Sequence, residues 1–355
     1  LSSQDNSILT GSNRRRDIQG LRAFAVLMVV AFHAGLPVPG GFVGVDVFFV
    51  ISGFVITSML YREQVGFGRI HLGQFFLRRF KRLTPALALV VAVTMIISIF
   101  VLSPFGSQQV AASTGIGAML LTANFVIVRT TGGYFDGPSA MNPLLNTWSL
   151  SVEDQFYVFF PAVIAFGWYL ARRRNLYRLA PILLIATLAL ASFVLAILGS
   201  FDLTFRGSNY ILGFYSPITR AWEFAVGALL ALFMTTHTIR APRFMALLGI
   251  LGFTLLGASL WLINEGTPFP GIWTLLPVTA TLLLLLAGSQ SSIPSSRLLS
   301  TKPCVMVGDL SYSIYLWHWP FIVFTAIIWP GSITAILLAA AISFAPALMS
   351  YHWIE

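Results

Sequence analysis

The sequence predicts an all-α polytopic membrane protein with about ten transmembrane helices, and composition is the first reason. Of 355 residues, 57% are hydrophobic and only 9% are charged, whereas soluble domains carry about 25% charged residues. So few charges could not cover the surface of a water-soluble particle of this size, which excludes a soluble enzyme and a disordered chain. The net charge of +9 therefore indicates membrane orientation rather than a nucleic-acid partner.

Apolar windows are the second reason, because about 20 mostly apolar residues cross a bilayer as a helix. A weaker stretch, 108–128, contains Gly115, Gly117 and Asn124 and falls short of this criterion. Residues 1–13 are predicted to be an N-terminal tail, and since residue 1 is Leu1 rather than Met, the native chain is expected to begin earlier. The windows that meet the criterion are 20–37, 42–60, 83–103, 149–170, 179–199, 217–236, 244–263, 271–288, 307–328 and 333–351.

The distribution of lysine and arginine is the third reason. All but Arg129, Arg206 and Arg220 of the 21 basic residues precede the first span, lie at its inner edge or lie in alternate loops. Because basic loops stay in the cytoplasm, both termini are predicted to be cytoplasmic. An even number of crossings must then separate the basic loops 61–82 and 171–178. The segment 108–128 is therefore predicted to be re-entrant or interfacial.

Ionisable side chains inside the first two spans are the leading candidate functional residues, because they are costly in a bilayer. Arg22 and His33 are eleven residues apart, so they share one helical face at depths that differ by roughly 16 Å. Asp46 follows a Pro- and Gly-rich turn at 36–41, which places it at the depth of His33 on the next helix. A carboxylate there would orient His33 as a general base. The alternative is a buried pair that only holds two helices together.

Two later spans also carry ionisable residues. Glu153 and Asp154 lie one turn into the span 149–170 and are about 100° apart on a helix, so we expect only Glu153 to point inward. The alternative is an interfacial helix start, where acidic groups are favourable. Arg220 and Glu223 are spaced i, i+3, which favours a structural ion pair.

The basic cluster at 78–82 and His318 each allow two interpretations, whereas the single cysteine and the absence of known motifs exclude certain kinds of chemistry. Arg78, Arg79 and Arg82 enter the third span, either as an anchor for anionic lipid or as a phosphate clamp. His318 stands among aromatic residues, which favours a hydrogen-bonded packing role over a second catalytic role. The single cysteine, Cys304, excludes an intramolecular disulfide, and no metal site is expected. The chain has no Walker loop, HExxH or GxSxG motif.

Five blocks of the sequence resemble, in order, the motifs of the membrane acyltransferase family 3. Arg22 and His33, with ten residues between them, resemble the Arg-x10-His signature of that family. The resemblance covers about residues 14–355, which are predicted to form one integral membrane acyltransferase domain. The other blocks are the glycine- and aromatic-rich stretch 41–54, the basic entry 78–85, the Trp-Ser-Leu-x-x-Glu motif at 148–153, and the stretch 311–318 with the ending 351–355.

The resemblance implies an enzyme of the bacterial plasma (inner) membrane that transfers an acyl group, commonly acetyl from acetyl-CoA, to hydroxyl groups of carbohydrates or glycolipids outside the cytoplasm. Acetyl-CoA would be a substrate rather than a permanently bound cofactor. Some members carry an extracytoplasmic hydrolase-like domain after the membrane domain, so such a domain is either absent here or is a partner that lies beyond Glu355. Asp154 departs from the pattern of many members, which have a second glutamate there, but it keeps the charge.

For the donor, we expect the CoA phosphates on Arg78, Arg79 and Arg82, with help from Arg22, and the pantetheine arm reaching toward His33.

For catalysis, His33 oriented by Asp46 would deprotonate the acceptor hydroxyl or carry the acyl group as an acyl-imidazole. Glu153 would position the acceptor or stabilise the imidazolium. The alternatives are a multi-span transporter of a small anionic or acylated metabolite and a membrane scaffold, but the sequence shows no inverted repeat typical of transporters. Side chains expected to support the acceptor or the fold are Trp148, Ser149, Arg220, Glu223, Tyr315 and His318.

Overall fold

The computed structural model describes residues 15–135, 137–174, 179–201, 209–237, 239 and 241–355. Within these ranges all regular secondary structure is helical, with two 3-10 turns at Gly41–Val43 and Ile272–Thr274. The helices are α1 (Arg16–His33), α2 (Gly44–Phe67), α3 (Leu72–Val101), α4 (Ser107–Met119), α5 (Ala123–Thr130), α6 (Gly137–Ala140), α7 (Thr147–Arg174), α8 (Leu179–Ser200), α9 (Asn209–Leu212), α10 (Pro217–Thr236), α11 (Pro242–Leu262), α12 (Leu275–Ala287), α13 (Pro294–Leu299), α14 (Lys302–Asp309), α15 (Ser311–Ile328), α16 (Ile333–Ile342) and α17 (Phe344–Trp353).

The predicted multi-span membrane protein is confirmed by the length and polarity of these helices. Within the described ranges, seven helices are long and apolar enough to cross a membrane: α2 with its preceding turn, α3, α8, α10, α11, α15, and α16 joined to α17. The three other predicted spans are helices as well. α1 and α7 carry charged residues within their length, and α12 with its preceding turn is a shorter apolar helix. Ten helices therefore coincide with the ten predicted windows.

The segment 108–128 does not form one continuous helix. α4 ends at Met119, α5 begins at Ala123, and Leu121 between them has a φ of +60°. At 1.5 Å per residue the 13-residue α4 is about 20 Å long, which is less than the hydrocarbon core of roughly 30 Å. This break agrees with the prediction that the segment is not a full crossing.

Both ends of the described chain lie at one end of the bundle. Arg15, just before α1, donates to the carbonyl of Leu285 near the end of α12 (2.7 Å). α14 packs against α1, and Ser313 at the start of α15 donates a hydrogen bond to Glu355. We call this the basic end, since Arg22 and the arginines of 78–82 also lie there. That it faces the cytoplasm stays a prediction, as does the boundary of the tail at residues 1–13. Arg14, 175–178 and Arg240 of the predicted basic segments lie outside the described residues, as does 202–208, which contains Arg206.

Glycines allow α2 and α10 to pack closely. A Cβ on Gly53 would lie 1.9 Å from the carbonyl oxygen of Phe224, and a Cβ on Gly227 would lie 2.1 Å from that of Val50. Small residues at such positions let transmembrane helix backbones approach each other. The contact matters for function because α2 and α10 together hold the buried charges described below.

We expect Gly53→Ala to lower the free energy of unfolding by about 1–3 kcal/mol, because the added methyl group meets backbone that cannot move aside without shifting a helix. Denaturant titration of the purified protein in mild detergent would measure it. Gly66→Ala is the matched control, since it lies on the same helix with nothing within 4 Å of its Cβ position. An equal stability of both variants would contradict the importance of this contact.

Candidate active site

His33 forms the centre of a hydrogen-bonded cluster at the end of α1. The helix ends there because the chain turns at Gly35, whose φ is +75°, and Pro37 and Pro39 follow. Nδ1 of His33 lies 2.9 Å from Nε2 of His318 on α15, and Nε2 of His33 lies 2.9 Å from the hydroxyl of Tyr134. Three distant parts of the chain therefore meet at this imidazole.

The partners of the two histidines define their tautomers. Nδ1 of His318 lies 3.1 Å from the carbonyl of Ile314, which can only accept, so this nitrogen carries the proton and Nε2 accepts. His33 must then donate from Nδ1, which leaves the lone pair on Nε2. Tyr134 donates to that lone pair, and burial raises the pKa of the Tyr134 hydroxyl well above its usual range. Nε2 of His33 is thus a base that points toward the end of the bundle opposite the basic end.

Asp46 does not orient His33, contrary to the sequence prediction. Its carboxylate accepts a hydrogen bond from Arg220 at 2.9 Å, and both ring nitrogens of His33 have other partners. The orienting group is instead His318, whose Nε2 accepts from His33. The depth of Asp46 expected from the hairpin could not reveal this. The guanidinium of Arg220 on α10 binds the carboxylate more strongly than a neutral imidazole would.

Arg220 forms a buried triad with two carboxylates. Its guanidinium contacts Asp46 at 2.9 Å and Glu223 at 3.1 Å, the i, i+3 partner expected from sequence. The helix α10 begins at Pro217, and Ser216 caps it by accepting from the backbone N–H of Ile218. All three triad side chains are fully buried, so the triad ties α2 to α10. Aromatic rings surround the guanidinium at 5.3–5.9 Å: Phe49, Trp148, Phe214 and Phe269.

A cavity of about 470 Å³ enters the bundle from the basic end. Four arginines line it, and these are the predicted donor-binding residues Arg22, Arg78, Arg79 and Arg82. Arg22 is half-buried and makes no ion pair within the part of the chain that the structure describes. Arg78 and Arg82 are exposed at the mouth. The cavity therefore presents cations that are available to an anionic ligand.

Arg79 is engaged inside the cavity. Its guanidinium lies 3.6 Å from Glu153 and 3.8 Å from Asp154, and it stacks 3.1 Å from the centre of the Tyr157 ring. Both carboxylates line the cavity, so the expectation that only Glu153 points inward is wrong. The two residues point in directions about 100° apart around the helix axis, but the side chain of Arg79 is long enough to contact both carboxylates.

Glu153 does not contact His33 either. Its carboxylate accepts from Ser52 at 2.5 Å and from the hydroxyl of Tyr157, and it faces Arg79. The predicted stabilisation of the imidazolium by this residue is therefore absent from the structure. Glu153 instead holds Arg79 and two hydroxyls in place on the wall of the cavity.

Two hydroxyl groups lie farther into the cavity than the arginines. Ser149 is one turn before Glu153 on α7, and its Oγ lies 2.6 Å from the hydroxyl of Tyr315 on α15. Both residues line the cavity. The ring of Tyr315 lies 5.5 Å from that of His318, so a row of polar side chains, here called the polar path, continues from the arginines through these hydroxyls to the histidine pair.

On the opposite side of His33, aromatic residues from the connection between α5 and α6 and from the connection between α9 and α10 meet. Tyr134 stacks on Phe214 at 4.4 Å and meets Trp148 edge-on at 6.1 Å. Trp148 is almost completely buried, with 1% of its surface exposed, which indicates that it supports this cluster by packing.

Sequence reasoning missed Tyr134 altogether and undervalued His318. Tyr134 follows Gly132 and Gly133 in a connecting segment without hydropathy signal, so no pattern marks it. His318 had a signal, since a histidine inside an apolar span needs a partner. Only the fold shows that the partner is His33.

Comparison with known proteins identifies the family of the chain. Residues 15–352 match the family model described as an acyltransferase domain. The chain belongs to the membrane acyltransferase family 3. It is 33% identical to peptidoglycan O-acetyltransferase OatA of Listeria monocytogenes over 95% of the chain and 54% of that protein. It is 32% identical to YrhL of Bacillus subtilis over 95% and 54%, and 30% identical to O-acetyltransferase OatA of Staphylococcus aureus over 86% and 50%.

The family membership makes the chain a multi-pass membrane protein with bacterial acyltransferase relatives. The chain spans about half the length of the curated relatives it matches. No solved structure matches the chain.

Proposed function

We propose that this domain transfers an acetyl or other short acyl group from acyl-CoA, bound at the basic end, to a carbohydrate hydroxyl that arrives from the opposite end. The observation that carries the proposal is the polar path through the bundle. It runs from the arginine-lined cavity past Ser149 and Tyr315 to the His318–His33 pair. Such a path lets donor and acceptor meet at one point without either crossing the membrane.

The donor half of the proposal rests on charge and shape. Arg22, Arg78 and Arg82 line the cavity as cations with no carboxylate oxygen within 4 Å among the described residues, and arginine binds phosphate groups in a bidentate manner. The cavity continues beyond them to Ser149 and Tyr315, which suits a linear arm that ends in a thioester. Arg79 contributes positive charge but is shared with Glu153 and Asp154, so we assign it to holding the cavity wall.

The catalytic half rests on the lone pair of His33. An acceptor hydroxyl that replaces the Tyr134 hydroxyl at Nε2 could give its proton to the imidazole as its oxygen attacks the thioester carbon. His318 stabilises the resulting imidazolium, because its Nε2 accepts from Nδ1 of His33 and its own Nδ1 is held by Ile314. The same nitrogen could instead carry the acyl group briefly.

The acceptor class follows from the relatives rather than from the site. OatA of Listeria monocytogenes is a peptidoglycan O-acetyltransferase, and we propose a cell-envelope carbohydrate as the acceptor here. Because the relatives are twice as long, we also propose that an extracytoplasmic domain completes the delivery to the final acceptor. The bacterial plasma (inner) membrane is the location consistent with a cytoplasmic acyl-CoA.

The test is turnover by the purified chain in lipid nanodiscs. Acetyl-CoA is added alone and with soluble peptidoglycan fragments, and free thiol and acetylated sugar are both measured. We expect slow thiol release without acceptor and faster release with it. If acetyl-CoA is neither bound nor cleaved, the proposal fails; vesicle uptake of the intact thioester would instead support the transporter.

A second prediction concerns the donor arginines. We expect Arg22→Gln and Arg82→Gln each to raise the KM for acetyl-CoA about 10-fold, since a hydrogen bond to a charged group contributes about 1.5–3 kcal/mol. We expect kcat to stay close to the wild-type value, because these residues lie far from the thioester. Arg62→Gln is the control: it belongs to the same basic loop but donates to the carbonyl of Ser58. Unchanged KM in both variants would show that the phosphates bind elsewhere.

A further inference from the structure

We propose that the hydroxyl groups of Tyr315 and Ser149 bind the thioester carbonyl of the donor and stabilise the negative charge that develops on its oxygen. The inference rests on the proposed acyl-CoA reaction and names a catalytic role that His33 cannot supply. A base alone activates the acceptor, whereas charge on the carbonyl oxygen needs hydrogen-bond donors aimed at it.

The position of the two hydroxyls fits this role. They come from different helices, α7 and α15, and meet at 2.6 Å on the wall of the cavity, deeper than the arginines. A donor whose phosphates stay at the mouth would bring its thioester, at the far end of the arm, to this depth. Tyr315 also contacts the histidine pair, since its ring lies 5.5 Å from that of His318.

The hydrogen-bond pattern leaves these hydroxyls able to turn toward a ligand. The carbonyl of Asn146 lies 3.2 Å from the Tyr315 hydroxyl and 3.2 Å from the Ser149 hydroxyl. Two protons thus serve three contacts, and the two contacts to Asn146 are at the long limit for hydroxyl donors. The proton that serves a contact to Asn146 can turn to a carbonyl oxygen with the loss of a long bond only, and the second donor exchanges the 2.6 Å bond between the hydroxyls for a bond to the charged oxygen.

The surroundings make such bonds strong and hold their donors in place. Tyr315 and Ser149 are 5% and 4% exposed, and the ring of Phe48 lies 6.3 Å from the Tyr315 ring. Hydrogen bonds in such a water-poor site stabilise charge far more than they do in water. The side chain of Asn146 also donates to the backbone carbonyl of Tyr315 at 2.7 Å, which fixes this turn of α15.

The step balances without any further reagent. The acceptor oxygen forms a bond to the thioester carbon while its proton passes to Nε2 of His33. The carbonyl π electrons move to oxygen, where Tyr315 and Ser149 donate hydrogen bonds. Collapse of this intermediate restores the carbonyl and breaks the carbon–sulfur bond, and the leaving thiolate takes up the proton.

The experiment compares Tyr315→Phe and Ser149→Ala with Ser151→Ala in nanodiscs. Ser151 is an equally buried hydroxyl on the same helix, but it faces α5, where it accepts from the backbone N–H of Ala123. We expect Tyr315→Phe to lower kcat about 10²-fold, the lower part of the range for one oxyanion donor, with little change in KM. Ser149→Ala should lose less, and Ser151→Ala should keep its kcat.

Binding of two uncleavable probes separates carbonyl recognition from a loss of structure. One is the ketone analogue of acetyl-CoA with a methylene in place of sulfur, and the other is S-ethyl-CoA, which has no carbonyl. We expect Tyr315→Phe to weaken the ketone up to about 10-fold, as for one neutral hydrogen bond, and to leave S-ethyl-CoA unchanged.

Wild-type kcat and an unchanged ratio of the two affinities in both variants would overturn the inference while leaving the proposed reaction intact. Equal weakening of both probes would also overturn it, because the hydroxyls would then only shape the cavity. If the wild-type protein binds neither probe and cleaves no acetyl-CoA, the proposed donor itself is wrong.

Discussion

Replacing His33 by glutamine is expected to lower kcat for acyl transfer by about 10²–10⁴-fold, the range that a positioned general base contributes. Glutamine is similar in reach and can still donate to His318, but it cannot take up a proton at neutral pH. The dissociation constant for acetyl-CoA should change little, because His33 is not part of the cavity wall. Initial rates of thiol release and of sugar acetylation, with donor binding measured separately, would test this.

Two further histidine variants make the result specific. His318→Gln should cause a smaller loss than His33→Gln, since His318 acts through the orientation and charge of His33 rather than on the substrate. His352→Gln, exposed near the end of α17, should behave as wild type. A folded His33→Gln protein that transfers acyl groups at the wild-type rate would refute the mechanism. Detection of acetyl on His33 in the absence of acceptor would favour the acyl-imidazole route.

Replacing Arg220 by methionine is expected to lower the free energy of unfolding by about 3–5 kcal/mol, the usual cost of removing one partner from a buried ion pair. The substitution leaves Asp46 and Glu223 buried without their cation, since both bind it at 2.9–3.1 Å and none of the three is exposed. Denaturant titration in mild detergent, followed by tryptophan fluorescence, would measure the loss.

The controls for this substitution separate charge from volume. Arg297→Met, at an exposed position of α13, should change stability by less than about 0.5 kcal/mol. Adding Asp46→Asn and Glu223→Gln to Arg220→Met should recover part of the loss, because neutral side chains are cheaper to bury. If Arg220→Met is as stable as wild type, the triad does not hold α2 and α10 together.

The depth of a side chain in the membrane was predictable from the sequence, but the rotation of each helix about its axis and the partners of its side chains were not. Periodicity placed Arg22 and His33 on one face of α1, and the structure has Arg22 in the donor cavity and His33 beyond its inner end. The same reasoning paired His33 with Asp46 and failed. The partners of His33 lie 101 and 285 residues away, on elements whose angular position depends on packing against several neighbours.

The carboxylates of α7 show a second reason for failure. An angle of 100° between Glu153 and Asp154 suggested that one must face away from the cavity. Helix geometry, however, describes only where a Cβ points. Which carboxylates an arginine contacts also depends on the length of the arginine side chain. Arg79 is long enough to contact both, so both became part of the cavity wall.

By itself, the sequence determined the class of this protein, because apolar content, span length and the distribution of basic residues reflect the cost of each residue in a bilayer. It also determined the ten helices, the expectation that 108–128 is not a full crossing, and the membership in an acyltransferase family, since ordered motifs survive in the linear chain. The tertiary structure alone decided that His318 and Tyr134 complete the site of His33, that Asp46 belongs to Arg220, and that Ser149 and Tyr315 meet. The physical reason is that hydrogen bonds reach only about 3 Å, so they depend on how whole helices are packed.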